Sequence, residues 1–137
     1  MKSCIFCQIV EYQVPAYMIY EDDIVMAFLD KDPISDGHIL IIPKKHFNDL
    51  HALDSETAQR VMEVTKKLAG ALEKEFKFDG SMIMEVNGAF QVVPHFHLHV
   101  FGRNKDNDIQ FVYPKGIHSK KDHLYLNAER LKRATFK

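Results

Sequence analysis

His95, His97 and His99 alternate with apolar residues in one short segment of the chain. Successive side chains of a β-strand point to opposite faces, so a strand over 95–101 places all three imidazoles on one face. Such a row of histidines can bind a metal ion, because imidazole nitrogens are good zinc ligands. Alternatively, one imidazole acts as a nucleophile while its neighbours orient it or handle protons. The third alternative is that the three histidines cluster on the surface by chance and have no chemical role.

Cys4 and Cys7 are the two cysteines of the chain and lie on one potential helical turn. In a reducing compartment this spacing indicates half of a metal site or a redox pair. His46 follows a buried strand, and together with His95 it offers the two further ligands of a tetrahedral site. A closed set of cysteine and histidine ligands is typical of structural zinc. The alternative is that both cysteines are small buried apolar residues.

The elements that must position these residues can be predicted from periodicity and turn residues. Residues 55–76 carry apolar side chains at helical spacing, with Asp54 or Ser55 as the N-cap. Residues 4–10 form a short helix with Ser3 as its cap. The predicted strands are 18–20, 24–29, 38–42, 80–86 and 95–101, and a C-terminal helix is predicted over 127–132. One long helix among such strands predicts an α+β fold with a mainly antiparallel sheet.

Length and composition fit a small globular protein. The 137 residues fit a single domain, and the formal net charge of -1 gives no electrostatic basis for binding nucleic acid or an anionic membrane. No segment approaches the roughly 20 apolar residues that span a bilayer. The N-terminus lacks the apolar core of a secretion signal, so we expect a cytoplasmic protein that does not associate with a membrane.

The chain resembles the histidine triad (HIT) family over most of its length, in the segments 4–7, 20–23, 27–30, 37–46 and 95–100. The resemblance implies a single HIT domain over 1–137, with the motifs in 3–103 and a C-terminal tail over 104–137. It also implies a homodimer in which two five-stranded halves join into one ten-stranded sheet. Family members bind nucleotides and cleave them at the α-phosphorus through a nucleotidyl-histidine intermediate.

The resemblance assigns roles to individual residues. It makes His97 the nucleophile, with His99 contacting the α-phosphate or the leaving group and Gln91 assisting. It implies that Asp30 binds the ribose hydroxyls and that His38 is structural. Three apolar residues match positions that pack against the base: Phe6, Ile9 and Phe28. Two amides, Asn87 and Gln91, match polar groups near the ribose and phosphate. Four residues match the ligands of the zinc-containing branch: Cys4, Cys7, His46 and His95.

The expected activity is hydrolysis of dinucleoside polyphosphates or nucleoside phosphoramidates, with a purine nucleotide as substrate and zinc as a structural cofactor. One alternative is a nucleotide-binding or zinc-binding regulatory module with incidental turnover. Another is a metalloenzyme whose three triad histidines share one catalytic zinc, although two thiolates would compete well for that metal. The chain departs from the family pattern between Asn87 and His95, where the segment is shorter, lacks a glycine and contains Pro94.

Overall fold

The computed structural model describes residues 3–106, 109–112, 115 and 123–135. Within these residues the regular structure consists of three α-helices and five strands, and two short 3-10 turns lie at Leu50–Ala52 and Gly88–Phe90. In chain order the elements are α1 (Ile5–Val10), β1 (Met18–Glu21), β2 (Val25–Leu29), β3 (Ile39–Pro43), α2 (Ser55–Phe76), β4 (Gly80–Met84), β5 (Leu98–Arg103) and α3 (Leu124–Thr135). No helix among the described residues is long and apolar enough to cross a membrane.

The five strands form one antiparallel sheet in the order β1-β2-β3-β5-β4. Alternate side chains of its strands feed two separate hydrophobic clusters. Helix α2 packs on one face, where its Val61, Val64 and Leu72 meet the core. Helix α1 and its N-cap Cys4 contribute to the other cluster, which includes both cysteines. The expected α+β class with an antiparallel five-stranded sheet is thus observed.

Helix α2 begins and ends through local backbone chemistry. The Asp54 carboxylate accepts a hydrogen bond from the Thr57 N–H at 2.8 Å, which satisfies one of the free donors of the first turn. At the other end Lys77 adopts a left-handed conformation with φ of 55°, a common way to stop a helix. The bounds agree with the helix that the apolar spacing predicts.

Strand β5 is shorter than predicted and begins at Leu98, so only His99 of the three triad histidines lies inside it. Pro94 has no N–H to donate, and the His95 N–H bonds locally to the Val93 carbonyl at 2.9 Å. The next N–H, that of Phe96, leaves the sheet and donates to the Phe47 carbonyl at 2.7 Å. The two-residue alternation nevertheless persists through this irregular segment, because its apolar residues join the cluster beneath α2.

Other boundaries also differ from the sequence predictions, and β1, β2 and β3 each differ by one residue at one or both ends. Helix α1 has Cys4 rather than Ser3 at its N-cap, and that cap makes no side-chain hydrogen bond. Strand β4 ends at Met84, because its last partner is His99, near the start of the shortened β5. Helix α3 is longer than the predicted 127–132, and none of its residues is buried against the described part of the chain.

Candidate functional site

The candidate site lies on the face of the sheet that α1 covers. His99 lies in β5, opposite Leu40 on one side and Met84 on the other. Asp30 and His38 flank the loop between β2 and β3, and the Asp30 N–H donates to the His38 carbonyl at 2.8 Å. Two neighbouring strands therefore bring a carboxylate and an imidazole to the histidine of the third.

The four predicted metal ligands come together at the start of α1. Their ligand atoms all lie within 4.8 Å of one another. The Cys7 Sγ lies 3.2 Å from His46 Nδ1, and the His95 Nδ1 lies 3.4 Å from Cys4 Sγ and 3.6 Å from Cys7 Sγ. A set of two thiols and two imidazoles with this compact spacing fits one tetrahedral zinc ion and leaves no open position.

The ring of His95 is oriented for ligation by the main chain. Its Nε2–H donates to the Pro43 carbonyl at 2.9 Å, which leaves the Nδ1 lone pair facing the two thiols. Burial lowers the pKa of His95 to about 4, so the ring is neutral near pH 7, as a metal ligand must be. A hydrogen bond from the distal nitrogen to a carbonyl is the usual support for a histidine ligand.

His97 is buried and has one nitrogen committed to the main chain. Its Nδ1 lies 2.7 Å from the His95 carbonyl oxygen, which can only accept, so Nδ1 carries the proton. The Nε2 atom then holds a lone pair, as a nucleophile requires. The ring of Phe6 packs edge-on against the imidazole with centroids 5.1 Å apart, which restricts its rotation.

His99 receives a hydrogen bond from His38. The Ile34 N–H donates to His38 Nδ1 at 3.0 Å, so the neutral His38 ring carries its proton on Nε2. That Nε2–H lies 2.9 Å from His99 Nδ1 and donates to it, which places the remaining proton of His99 on its own Nε2. Burial lowers the pKa of His38 and brings that of His99 to about 4, so both rings are neutral near pH 7.

The Asp30 carboxylate completes this cluster. One oxygen accepts the Asp32 N–H at 2.9 Å, while the other lies 3.6 Å from His38 Nε2 and 3.9 Å from His99 Nδ1. The three side chains are close enough to surround a cation. A cation would, however, need a lone pair on His38 Nε2, and the Ile34 N–H already occupies the only lone pair of that neutral ring. The Ile34 N–H, His38 and His99 therefore form a hydrogen-bonded relay, and Asp30 lies beside it at distances too long for a hydrogen bond to either ring. The structural role expected for His38 does not include this contact with His99.

The predicted base-packing residues lie in one cluster, and Phe6 of this cluster packs against His97. Phe6, Ile9 and Phe28 belong to one buried cluster, and the rings of Phe6 and Phe28 meet edge-on with centroids 5.7 Å apart. They form an apolar wall that ends at Asp30, the residue directly after β2 and Leu29. All three residues are buried, with 6%, 7% and 3% of Phe6, Ile9 and Phe28 exposed, so they present little free surface to a base.

The two predicted polar residues of the preceding loop are bonded to neighbouring loop segments. The Gln91 side-chain amide donates to the Asn48 carbonyl at 2.8 Å. Asn87 accepts the Leu50 N–H at 3.0 Å and donates to the Glu85 carboxylate at 2.6 Å. These bonds fasten the shortened loop to the segment that follows β3.

The triad histidines are thus divided between two clusters. His95 belongs with the cysteines and His99 with the relay, whereas His97 lies between them. One zinc ion shared by all three side chains does not match this arrangement, since the His95 Nδ1 faces the thiols and the His97 Nδ1 is bonded to a carbonyl.

Comparison with known proteins agrees with the fold and the motifs. A protein from Borreliella burgdorferi described as an uncharacterized HIT-like protein is 40% identical over 118 residues, covering 81% of this chain and 83% of its own. The adenosine 5'-monophosphoramidase HNT1 of Saccharomyces cerevisiae is 36% identical over 106 residues, covering 76% of this chain and 65% of its own.

Solved structures superpose closely on the chain. A HIT family protein from Bacillus anthracis gives a TM-score of 0.84 at 36% identity, with 96% of each chain covered. A zinc-bound histidine triad family protein from Mycobacterium smegmatis gives a TM-score of 0.76 at 34% identity, with 97% of this chain and 98% of that chain covered. The HIT domain profile itself matches residues 11–106. The chain therefore belongs to the HIT domain family.

Proposed function

We propose that the chain is a nucleotide hydrolase that cleaves dinucleoside polyphosphates or nucleoside phosphoramidates at the α-phosphorus. The observation that carries the proposal is the 2.7 Å bond from His97 Nδ1 to the His95 carbonyl, which leaves the Nε2 lone pair free to attack. The relationship to the yeast adenosine 5'-monophosphoramidase supports the same class of reaction.

The reaction takes two displacements at phosphorus. First, His97 Nε2 forms a bond to the α-phosphorus while the bond to the leaving oxygen or nitrogen breaks, and the leaving group takes a proton from solvent. The Nε2–H of His99 donates a hydrogen bond to the charge that develops on the leaving atom or the phosphoryl oxygens. Water then attacks phosphorus and releases a proton to solvent, the phosphorus–nitrogen bond breaks, and its electron pair returns to His97 as the nucleoside monophosphate departs.

The remaining residues bind the substrate in this proposal. Phe6, Ile9 and Phe28 pack against a purine base, and Asp30 accepts hydrogen bonds from the ribose hydroxyls. Gln91 and Asn87 lie in the loop before the triad, so their amides serve the phosphate only if the bonds that fasten this loop exchange when substrate binds.

The proposal includes a structural zinc ion, a second copy of the chain and a cytoplasmic location. Zinc held by Cys4, Cys7, His46 and His95 supplies a cross-link between α1, the end of β3 and the triad segment. The zinc-bound relative from Mycobacterium smegmatis supports this assignment. The exposed Met62 of α2 and the position of β4 at the edge of the sheet that the described residues form support dimerisation through these elements.

A nucleotide-binding or zinc-binding module with incidental turnover is the second candidate. It is favoured by Gln91 and Asn87, whose amides are already bonded within the loops and are not directed to a phosphate. Wild-type turnover on the two substrate classes separates this candidate from the hydrolase.

The test of the proposed function compares wild type with His97→Asn on a panel of adenosine phosphoramidates and diadenosine polyphosphates. Asparagine retains an N–H at the position of Nδ1 and loses the attacking Nε2, so the local bond to the His95 carbonyl can survive. We expect kcat to fall at least about a thousandfold, as when a covalent route is lost. Binding of adenosine monophosphate should persist, and wild-type turnover in the variant would refute the mechanism.

A further inference from the structure

His95 takes part in two interactions that connect the metal ligands to the nucleophile. Its ring Nδ1 lies 3.4 Å and 3.6 Å from the thiols of Cys4 and Cys7. Its carbonyl oxygen lies 2.7 Å from His97 Nδ1 and fixes the proton of that ring. One residue therefore contributes a side chain to the metal centre and a main-chain acceptor to the nucleophile.

The peptide unit between His95 and Phe96 is held from both ends. Its carbonyl accepts the His97 ring N–H, and its N–H donates to the Phe47 carbonyl at 2.7 Å. Phe47 directly follows His46, whose Nδ1 lies 3.2 Å from the Cys7 thiol. The metal ligand His46 is therefore next to Phe47, which accepts the N–H of this peptide unit. The metal ligand His95 itself supplies the carbonyl that orients His97.

Helix α1 supplies a second connection through Phe6, which lies between the two cysteines. Its ring packs edge-on against His95 with centroids 5.8 Å apart, and against His97 with centroids 5.1 Å apart. Any rotation of α1 that separates the thiols from the imidazoles also moves this ring. The wall against which His97 packs is therefore tied to the metal ligands.

We propose that metal binding at this centre positions the nucleophile, in addition to cross-linking the fold. With zinc bound, the His95 ring is held at Nε2 by Pro43 and at Nδ1 by the metal, so its backbone carbonyl is held in place for His97. Without zinc, the ring keeps its bond to Pro43 and its longer contacts with the thiols, so the carbonyl is held less firmly and the tautomer of His97 is less strongly fixed. The effect on turnover rests on the proposed function, whereas the effect on the His97 ring does not.

The primary test is the tautomer of His97 in protein labelled with nitrogen-15 at histidine. In the zinc-loaded protein we expect two well-separated ring nitrogen resonances for His97, one from a protonated and one from an unprotonated nitrogen. In chelated but folded protein these shifts should move toward each other as the tautomers exchange. Unchanged His97 shifts in folded, zinc-free protein would overturn the proposal.

A second measurement keeps the proposal testable if the zinc-free protein unfolds. Coupling between two sites is reciprocal in binding free energy, so a nucleotide that binds the metal-loaded protein more tightly must raise the affinity for the metal by the same factor. A titration with cobalt in place of zinc, followed by visible absorption, should therefore give a higher cobalt affinity at saturating adenosine monophosphate. An unchanged cobalt affinity when the nucleotide is saturating, as shown by calorimetry, would contradict the coupling.

Paired variants separate positioning from loss of stability. Cys7→Ser should lower zinc content and reduce kcat about tenfold or more with a small change in KM. Leu72→Ala also destabilises the fold, but it lies in the cluster beneath α2 and should leave kcat unchanged below its melting temperature. Equal losses of kcat in both variants would show a purely structural metal site. If wild type itself lacks turnover, the proposed function fails, while the resonance and cobalt measurements still decide the coupling.

Discussion

The hydrogen bond from His38 to His99 predicts different consequences for two conservative substitutions. Asparagine places an oxygen where His38 has Nδ1, so His38→Asn keeps an acceptor for the Ile34 N–H and loses the donor at Nε2. Glutamine reaches as far as Nε2, so His38→Gln keeps an N–H within reach of His99 Nδ1. The two variants therefore separate support of the loop from support of His99.

The size of the effect follows from the burial of the bond. His38 is 1% exposed and the bond to His99 is 2.9 Å long, so water does not replace the lost donor freely. Leaving a buried acceptor without its partner costs about 1 to 3 kcal/mol. If this cost falls on the transition state, kcat drops roughly 5- to 150-fold. We expect His38→Asn to fall in this range and His38→Gln to lose less.

The assay is steady-state hydrolysis of an adenosine phosphoramidate at pH 7, well below the melting temperature of each variant. The expected loss lies in kcat, because in the proposed mechanism the His99 N–H donates to the charge that develops during the reaction. Thermal melts of both variants serve as the control for folding. The reasoning is refuted if His38→Asn turns over at the wild-type rate, or if His38→Gln is as slow as His38→Asn.

Three further predictions concern stability and assembly. A Cβ on Gly102 would lie 1.8 Å from Phe78 Cδ2, so Gly102→Ala should cost about 3 kcal/mol in urea unfolding, and a loss no larger than that of Gly80→Ala, where nothing lies within 4 Å, would contradict it. The pKa of His99 is about 4 in the folded state against 6.5 ordinarily, so the unfolded chain takes up the proton first as pH falls. The free energy of unfolding should therefore drop by up to about 3 kcal/mol between pH 6.5 and pH 4, with a smaller slope in His99→Asn; equal slopes would exclude this origin. Pairing through residues 55–76 and the β4 edge predicts a dimer mass by light scattering at micromolar protein, and a monomer mass would rule it out.

The elements with regular patterns could be predicted from the sequence. Residues 55–76 carry apolar side chains at the spacing of a helix and not at the two-residue alternation of a strand, and Asp54 marks the start of the helix. The start of β5 could not be predicted, because the N–H of Phe96 is taken by the carbonyl of Phe47, which is distant in sequence. The residue pattern around Phe96 gives no information about a carbonyl group in a loop that is distant in sequence.

The candidate site was predictable where residue type alone limits the chemistry. Two cysteines three positions apart and two histidines define a set of metal ligands, and the structure brings these side chains together. The contact of His38 with His99 was not predictable from spacing, because it depends on the register Leu40 to His99 between β3 and β5. The sequence offers one indication of a turn at this point, which is the glycine directly before His38. In the structure Gly37 has a φ of 75°.

The alternation of side chains through the triad segment limits how the loops around it can be exchanged. The loop 88–94 lies before this alternation, so loops of other lengths from relatives can be grafted there without reversing a side chain. One residue inserted between His95 and His99 would turn His99 toward α2 and send an apolar neighbour into the site. Two inserted residues would return the side chains to their original faces of the sheet but would shift the register of β5 against its neighbouring strands. Loop exchange upstream of Pro94 is therefore the change that varies the surroundings of the triad segment while keeping the orientation of its side chains.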